Sequence, residues 1–543
     1  MATDETTTLT PRAERRAKRS RRRRRVRIAA ITLSALIVLV AGGAYADYVY
    51  LGSLVHHKTV KHLQSAGSSE NILLIGSTTR CGLKVQNPAY GTCAGGTTGV
   101  NSDIVMVAHL NPATGFASLL SIPRDLFVPN ARIEGANKID AALYQGPSQL
   151  VSAIEEDFGI PINHYVELNF DTFASVVDAL GGVKMYFPTP IFDAESGLNI
   201  HHPGCISLDG YHALQVVRAR HLQIQPTPGN TVHATWPQEG LSDLARIRRT
   251  HEFLRVLFDE VAKRGIGNPI TDQNILTSVL PNLTVDNGFA ESLMVHLASA
   301  YATTNINSIP QDTYPTVGIA GNGYLYKGYG YGDVIFPVNP TGKNLIGALF
   351  QAKPSQSVFT GRALPAAGSF PLVVENGAQG VDAAAPIATG LRKAGFNIRH
   401  VGAITPVGPI AETVIWYGGT PPPAKGNWHN PGLEDAEKVL TELSGPVVMG
   451  YNPAMVGPGS LVTVVVGNGT TMTPAPVAPV TTTTSKSTTT TTVHGPTSTT
   501  TTTVPDPAGI KSSPLFGVPT ATNMPLAPYD PRACNAAGTG PAA

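Results

Sequence analysis

Short apolar runs separated by glycine, asparagine and proline begin at residue 71 of the chain. The segments NILLIG, SDIVMVAHLNP and GFASLLSIP each carry such a run, a pattern that is typical of buried strands. The turn residues NPATG between the second and third runs predict that these two strands form a hairpin. The pattern therefore predicts a sheet near the start of the folded part.

Longer segments with helical spacing of apolar residues follow these strands. KIDAALYQGPSQLVSAIEEDFG and NFDTFASVVDALGG have this spacing, with helix stops predicted at Gly159 and Gly181. LDGYHALQVVRAR and SDLARIRRTHEFLRVLFDEVAKRG predict two more helices. Strands and helices mixed in this order predict an α/β layered domain over residues 71–351.

A second α/β pattern begins after a linker rich in proline, serine and glycine at residues 352–368. Its strands and helices are predicted in FPLVVENGAQGVDAAAPIATGLRKAGFNIRHVG, AETVIWYGG, LEDAEKVLTELSG and LVTVVVG. They predict a smaller α/β domain over residues 369–467, interpreted as a wall-facing or partner-binding module. Residues 468–543 are rich in threonine and proline, a composition that cannot bury a core, so a disordered tail is predicted there.

The N-terminal part combines a basic segment with an apolar one. Residues 1–27 contain 11 Lys and Arg against three Asp and Glu, whereas Ile28–Ala46 is 19 residues without a charge. That length is close to the roughly 20 residues that cross a bilayer core. A cleaved signal peptide is the alternative interpretation.

Arginines that precede a membrane span hold that end of the chain in the cytoplasm. The sequence therefore predicts a cytoplasmic tail (1–27), a single transmembrane helix (28–50), a polar juxtamembrane stalk (51–70) and an extracytoplasmic body. A basic tail alone could bind nucleic acid, but the span that follows it indicates a membrane partner and no nucleic acid.

The four cysteines are compatible with an oxidising exterior. Cys81 and Cys93 flank a loop rich in Gly, Asn and Pro, and a disulfide between them is predicted. Metal ligation is the competing interpretation, although no CxxC motif or nearby histidine set supports it. Cys205 and Cys534 are far apart in sequence, so their pairing is left open.

The stretch ASLLSIPRDLFVPN places Arg124 and Asp125 inside an otherwise apolar pattern. Four further arginines lie in the two later helices of the same domain: Arg218, Arg220, Arg246 and Arg249. The last two are spaced i, i+3 and are expected to share a helix face. Because the planar guanidinium group donates two parallel hydrogen bonds to phosphate oxygens, the set favours an anionic ligand such as a pyrophosphate.

Two carboxylates, Asp103 and Asp243, are candidates to act beside these arginines. A carboxylate can hold Mg²⁺ or take a proton from an attacking hydroxyl. The competing interpretation is structural: each arginine pairs with its own surface acid. The sequence contains no GxSxG and no HExxH motif, which argues against common hydrolases and zinc proteases.

In combination these segments resemble the LytR-CpsA-Psr proteins of bacterial envelopes, over about residues 71–351. The motifs that carry the resemblance are NILLIG, NSDIVMVAHLNP, SIPRDLFV, KIDAAL, NFDTFASVVDALGGV, LDGYHALQVVRAR and SDLARIRRTHEFLRVL. The second domain resembles the carboxy-terminal LytR domain that is often attached in actinobacteria. The resemblance implies an α/β/α sandwich with a hydrophobic channel for a lipid.

The function that the resemblance implies is phosphotransfer. Family members join a glycopolymer carried on a polyprenyl pyrophosphate to peptidoglycan through a phosphodiester, and pyrophosphatase activity is a further expectation. The pyrophosphate would be gripped by Arg124, Arg218, Arg220 and Arg246, with Arg249 beside them. Asp103 would help to bind Mg²⁺, and Asp243 would orient arginines or transfer a proton. Asp125 would brace Arg124.

Three positions depart from the family pattern. Thr78 in GSTTR stands where the family commonly has an aspartate, Asn101 stands where an arginine is frequent, and Thr250 replaces a usual glutamine. A neutral hydroxyl is a poor substitute for a carboxylate ligand, so the first change weakens the expected Mg²⁺ site. A catalytically idle wall-polymer receptor is therefore the second hypothesis, and transcriptional attenuation, which the topology disfavours, is the third.

Overall fold

The computed structural model describes most of the chain between residues 50 and 474. The described residues are 50, 52–81, 92–96, 98–239, 242–264, 277, 280–301, 304, 308–318, 323–378, 380–403 and 412–474. The predicted cytoplasmic tail, the predicted transmembrane helix except Tyr50, and residues 475–543 of the predicted tail lie outside them. Within the described ranges, no helix combines the length and the apolar character needed to cross a membrane.

Strands are distributed along the whole described chain. They are β1 (His56–Lys58), β2 (Glu70–Ser77), β3 (Ser102–Asn111), β4 (Phe116–Ser121), β5 (Phe127–Arg132), β6 (Gly135–Lys138), β7 (His164–Leu168), β8 (Val183–Phe187), β9 (Ile191–Asp193), β10 (Leu198–Ile200), β11 (Gly204–Leu208), β12 (Gln223–Ile224), β13 (Thr284–Asp286), β14 (Gln311–Thr313), β15 (Thr316–Gly318), β16 (Leu325–Tyr326), β17 (Tyr329–Gly330), β18 (Ile335–Asn339), β19 (Pro371–Asn376), β20 (Asn397–Ala403), β21 (Thr413–Tyr417), β22 (Leu443–Tyr451), β23 (Val462–Val466) and β24 (Thr471–Met472).

Helices alternate with these strands. They are α1 (Pro147–Phe158), α2 (Phe170–Ala179), α3 (Gly210–Arg218), α4 (Ser242–Arg264), α5 (Glu291–Tyr301), α6 (Thr341–Leu349), α7 (Ala384–Lys393) and α8 (Pro431–Leu440). Short 3₁₀ helices cover Ile139–Gln145, His233–Thr235, Leu280–Asn282, Ala367–Ser369 and Pro453–Met455.

The helix ends follow local sequence signals. The Asn169 side chain accepts a hydrogen bond from the Thr172 N–H at the start of α2, and Asp209 accepts from the His212 N–H at the start of α3. These caps satisfy amide groups that the first helical turn leaves free. Helix α1 ends at Gly159, which adopts φ 64°, a left-handed conformation that favours glycine.

The first sheet has the strand order β1-β13-β7-β2-β3-β4-β14. Strand β2 runs parallel to β7 and antiparallel to β3, and β3 is antiparallel to β4. The predicted hairpin at NPATG is confirmed, with Asn111 opposite Phe116. The sheet thus brings the end of β2, the start of β3 and the end of β4 to one edge.

Successive side chains along each strand point to opposite sides of the sheet. The sheet therefore has two apolar faces, and helices cover both. On one face, Leu73, Val107 and Leu120 pack in a core with Leu150 and Ile154 of α1. On the other face a second core contains Ile72, Met106, Val166, Val285 and Leu297, the last of these in α5. The mixed α/β architecture predicted from the sequence is confirmed.

A smaller unit beside the sheet contains α2, α3 and the strands β8 to β12. Its own core includes Val177, Phe187 and Leu214, together with Phe253 from α4. The unit therefore packs on α4, and the chain that follows α3 passes close to the edge where β2 and β4 end.

The second sheet has the order β15-β18-β22-β21-β23-β19-β20, with β24 paired to β22. Its core contains Leu372, Ile415, Leu433, Val447 and Val464. Because β18 precedes residue 351 and pairs with β22 at Val338 and Pro446, the predicted boundary between the two domains does not separate the two sheets.

Two predicted connecting segments are folded. The prediction of a stalk over residues 51–70 is wrong for its middle part, because His56 of β1 pairs in parallel with Thr284 of β13. The predicted linker at 352–368 belongs to both cores, since Val358 packs against the first core and Phe359 against the second. Both segments are polar or irregular in sequence, so apolar periodicity did not mark them.

Candidate active site

The candidate site lies at the edge where β2 and β4 end and β3 begins. Ser77 pairs with Ser102 across β2 and β3, so Asp103 lies next to the end of β2. Arg124 follows β4 by three residues. The antiparallel pairing of β3 with β4 brings it to Asp103, and its Nη1 atom lies 2.5 Å from Asp103 Oδ1.

A cleft of about 410 Å³ opens at this edge. Among the residues that the structure describes, five arginines and two acids line this cleft. The lining residues are Thr78, Arg80, Gly99, Asn101, Asp103, Arg124, Glu195, Ser196, Arg218, Arg220 and Arg246. The arginines come from the end of β2, the end of β4, the end of α3 and from α4, so the cleft is assembled by tertiary folding.

Asp103 is the central acid of the cleft. Besides Arg124, it is approached by Arg246, whose Nη2 donates to the Asp103 carbonyl oxygen at 3.0 Å and whose Nη1 lies 3.9 Å from Oδ1. Burial by itself would raise the pKa of Asp103, but the guanidinium groups of Arg246, Arg124 and Arg218 outweigh burial and lower it. Asp103 is therefore ionised and holds the arginines in place.

Asp125 braces the neighbouring cations, as the sequence suggested. Its carboxylate lies 3.4 Å from Arg124 Nε, 2.9 Å from Lys138 Nζ and 3.7 Å from Arg220 Nη2. Burial opposes ionisation of Asp125, but Arg124, Lys138 and Arg220 together lower its pKa. This acid therefore fixes two cleft arginines without lining the cleft itself.

Phe170, the first residue of α2, contacts two cleft arginines. The guanidinium carbon of Arg80 is 4.7 Å from the ring centroid, and that of Arg218 is 4.3 Å from it. Both distances are within the cation–π range of about 6 Å. The ring therefore attracts both positive charges.

An apolar cavity of about 130 Å³ adjoins the cleft. Leu74, Phe173, Leu214 and Phe253 line its wall. Asp103, Arg218 and Arg246 line both the cavity and the cleft. The arrangement can accept a ligand with an anionic head in the cleft and an apolar chain in the cavity.

Two residues predicted from the sequence do not contribute a described side chain to the cleft. Arg249 is only 2% exposed, and its guanidinium group donates to the Glu239 carboxylate and to the carbonyl oxygen of Ala219. Its side chain therefore turns toward the end of α3 although it is spaced i, i+3 from Arg246. Asp243 falls in the first turn of α4, and its side chain lies outside the described residues.

Two contributors, Arg80 and Phe170, are absent from the prediction. Arg80 follows the apolar strand β2 by three residues, a strand-end position like that of Arg124 after β4, so position gave a usable signal. Phe170 gave none, because an aromatic residue in an amphipathic helix normally predicts core packing.

The structure places few possible Mg²⁺ ligands at the cleft. Among the described residues, no group of three or more His, Cys, Asp or Glu side chains could hold a metal ion. Thr78 Oγ1 accepts a hydrogen bond from the Asn101 N–H. Asp103 is thus one carboxylate that fits Mg²⁺ when phosphate oxygens and water complete the shell, which is the usual mode for this ion.

A disulfide joins Cys81 and Cys93 beside the cleft, with a Cα–Cα distance of 5.0 Å. It closes the loop that follows Arg80. Cys205 is also disulfide-bonded, and Cys534 lies outside the described residues.

Residues 52–331 match the LytR_cpsA_psr family. The chain is 36% identical over 222 residues to the probable cell wall biosynthesis protein LcpB of Corynebacterium glutamicum, covering 40% of this chain and 48% of that protein. It therefore spans about half the length of this relative.

Further relatives are named as wall polymer transferases. The chain is 25% identical over 323 residues to the polyisoprenyl-teichoic acid–peptidoglycan teichoic acid transferase TagU of Oceanobacillus iheyensis, covering 55% of this chain and 86% of that protein. The transferase of the same name from Bacillus mycoides is 30% identical over 191 residues, 34% of this chain and 60% of that protein.

Solved structures similar to this chain include a LytR-Csp2A-Psr enzyme from Actinomyces oris and B. subtilis TagV. Each is 22% identical with a TM-score of 0.40. The first covers 48% of this chain and 88% of its own, and the second covers 53% and 97%.

Proposed function

The chain belongs to the LytR_cpsA_psr family, and from this premise we propose that it is a phosphotransferase that joins a polyprenyl-pyrophosphate-linked glycopolymer to peptidoglycan. The observation that carries the proposal is the meeting of five arginines in one cleft that adjoins an apolar cavity. The relatives named as wall polymer transferases support the same reaction class.

In the proposed reaction, a hydroxyl oxygen of peptidoglycan attacks the phosphorus atom that carries the glycopolymer. A new P–O bond forms, the bond from that phosphorus to the bridging oxygen breaks, and polyprenyl monophosphate leaves with the electron pair. The hydroxyl proton passes to a base, for which Asp243 is the predicted candidate. Pyrophosphatase activity is the same displacement with water as the attacking group.

The arginines would bind the diphosphate and stabilise the negative charge that builds up on its oxygens. Each guanidinium group offers paired donors in a rigid plane and stays protonated. Because Asp103 and Asp125 hold Arg124 from two sides, the donors are positioned before the substrate binds. Such preorganisation reduces the reorganisation needed in the transition state.

Mg²⁺ is part of the proposal. Asp103 and the substrate phosphates would hold the ion, which would supply further positive charge at the phosphate oxygens. We expect chelation with EDTA to lower the rate and added Mg²⁺ to restore it. An unchanged rate after chelation would assign the whole electrostatic role to the arginines.

The proposed partners require a site outside the membrane. We propose that the N-terminal segment crosses the membrane once with its start in the cytoplasm, which places the cleft near both the lipid carrier and peptidoglycan. A reporter fused after residue 474 should be active only outside the cell. Activity inside the cell would instead favour the transcriptional hypothesis.

Turnover of a short-chain polyprenyl diphosphate analogue tests the proposed chemistry. We expect release of the polyprenyl monophosphate by the purified full chain. Binding without product release would favour the second hypothesis, a wall-polymer receptor. That hypothesis applies to this chain in particular because Thr78 replaces a usual aspartate.

A further inference from the structure

A second cleft, of about 470 Å³, lies at the opposite end of β2 and β3 from the arginines. Asn71 and His109 line it, whereas Thr78 and Asp103 line the arginine cleft. Thr78 lies seven positions after Asn71 along extended chain, a span of roughly 23 Å. The two clefts are therefore separate sites, and we call the second one the junction cleft.

His109, Pro161 and Asn163 line part of the junction cleft, and three chain segments form the rest. These segments are residues 64–71 before and at the start of β2, residues 350–362 after α6, and residues 427–429 before α8. The Gln64 side chain donates to Glu155 at 2.9 Å and accepts from the Trp428 N–H at 2.7 Å. Asn427 Oδ1 accepts from the Ser65 N–H at 2.7 Å. These hydrogen bonds, of which the two made by Gln64 are buried, therefore fix the walls.

The lining of the junction cleft is polar but almost uncharged. Among its described residues, Arg362 is the only Lys, Arg, Asp or Glu, and Glu434 pairs with it at 2.8 Å. Burial lowers the pKa of His109 to about 4, so this ring is neutral at pH 7. A ligand that matches this lining has hydrogen-bonding groups and no net charge.

Amide and aromatic groups occur together in the junction cleft. Gln351, Gln356 and Asn427 supply side-chain amides, and the half-buried Phe359 ring, which packs against the buried Trp428, supplies an apolar part. Pockets of roughly 300–1,000 Å³ that combine apolar walls with a few polar groups are typical of small-ligand sites. An N-acetylated sugar presents amide, hydroxyl and methyl groups that complement this set.

Gln351 supports a ligand role independently of the lining chemistry. It follows the end of α6 and adopts φ 54°, a left-handed conformation that helix ends normally give to glycine. The chain therefore keeps a side-chain amide in the cleft at a conformational cost. Backbone strain of this kind concentrates at binding and catalytic sites.

We propose that the junction cleft binds an N-acetylhexosamine segment of a wall glycan. The proposal goes beyond the transfer reaction, because it needs neither the arginine cleft nor turnover. A chain that holds wall glycan at this end keeps its other cleft close to the wall surface. Residues 427–429 of the second α/β domain line the cleft, so that domain acquires a defined role in glycan binding.

The test is calorimetric titration of the full chain in detergent with N-acetylchitotetraose. We expect saturable binding that Asn427→Ala and Gln351→Gly each weaken by about fivefold, the effect of losing one hydrogen bond. Arg124→Ala should bind like the wild type, which separates this site from the proposed transferase site. Absence of saturable binding, or loss of binding in Arg124→Ala, would overturn the proposal.

Lys327→Gly is the matched control for Gln351→Gly. Lys327 also adopts a left-handed conformation, with φ 51°, in the turn between β16 and β17. Both glycine variants should unfold at a temperature equal to or above that of the wild type, because both relieve strain. Only Gln351→Gly should weaken saccharide binding. Equal affinity of both variants would show that the Gln351 side chain contacts no sugar.

Discussion

Buried carboxyl groups behave in opposite ways at the arginine cleft and at the contact between the two sheets. In the cleft, arginines outweigh the effect of burial and lower the pKa values of Asp103 and Asp125. At the end of α1, burial raises the pKa of Glu156 to about 8 and raises that of Asp157 well above its usual range. Glu437 of α8 is raised to about 7, also chiefly by burial.

Burial alone therefore does not decide the charge of an acid in this protein. Asp157 Oδ2 accepts from the Asn130 N–H at 3.0 Å and lies near Glu156 and Glu412, whose negative charges oppose its ionisation. Asp103 is surrounded by guanidinium groups. Asp140 marks the boundary between the two regimes: burial raises its pKa to about 6, although Arg124 partly offsets that effect.

The largest expected effect comes from removing a guanidinium group from the cleft. Arg124→Ala and Arg246→Ala should each lower turnover of a polyprenyl diphosphate by roughly 10²–10³-fold, as expected when one donor to a developing charge is lost. Product release measured with the purified full chain checks this. Arg392→Ala, an exposed arginine in α7, is the control and should keep wild-type turnover; equal losses in all three would contradict the assignment.

The next largest effect separates Arg246 from Arg249. Arg249→Met breaks a buried contact with Glu239 and should cost about 3 kcal/mol of unfolding free energy. Arg246→Met should instead act mainly on diphosphate affinity. Thermal unfolding and a binding titration, run on both variants, check the contrast. A stronger loss of affinity in Arg249→Met than in Arg246→Met would return Arg249 to the binding site.

The acids between the two sheets should make stability depend on pH. The pKa of Glu156 is raised to about 8 in the folded state. The stabilisation that this group adds to the free energy of unfolding is therefore fully present below pH 4.5 and is lost as the pH rises toward 8. Glu156→Gln should therefore stabilise the fold at pH 8 and have little effect at pH 4.

Unfolding temperatures of the wild type and of Glu156→Gln at these two pH values provide the measurement. Glu260→Gln replaces an acid in α4 that is not buried among these carboxyl groups, and it is the matched control. A stabilisation of Glu156→Gln that is the same at both pH values would show that Glu156 does not titrate in this range.

The smallest effect concerns Phe170. Phe170→Leu removes two cation–π contacts, each worth about 0.5–1 kcal/mol, and should weaken diphosphate binding by roughly fivefold to thirtyfold. Phe170→Tyr keeps the ring and should bind like the wild type. If both variants bind equally, the ring does not position Arg80 and Arg218.

Sequence patterns predicted the parts of the fold that depend on local periodicity. Strands β2 to β4, their hairpin, and helices α1 to α4 follow from apolar spacing, caps and glycine stops. Strand β1 did not, because His56–Lys58 is exposed and polar, and its place depends on pairing with a strand more than 200 residues away.

The sequence predicted the chemistry of the candidate site, an arginine cluster for an anionic ligand, but not the complete set of its residues. Arg124 interrupts an apolar stretch, which gave a local signal. The roles of Arg246 and Arg249 could not be separated by helical spacing, because the acceptors that turn Arg249 away are Glu239 and the Ala219 carbonyl oxygen. Those contacts exist only once α3 and α4 have packed.

The most direct test of the account is a crystal structure of the protein with geranylgeranyl diphosphate. The account predicts diphosphate oxygens within hydrogen-bonding distance of Arg124 and Arg246, with the first isoprene groups against Phe173 and Phe253. A diphosphate bound away from these arginines, or an isoprenoid chain that runs along the outer surface, would contradict it.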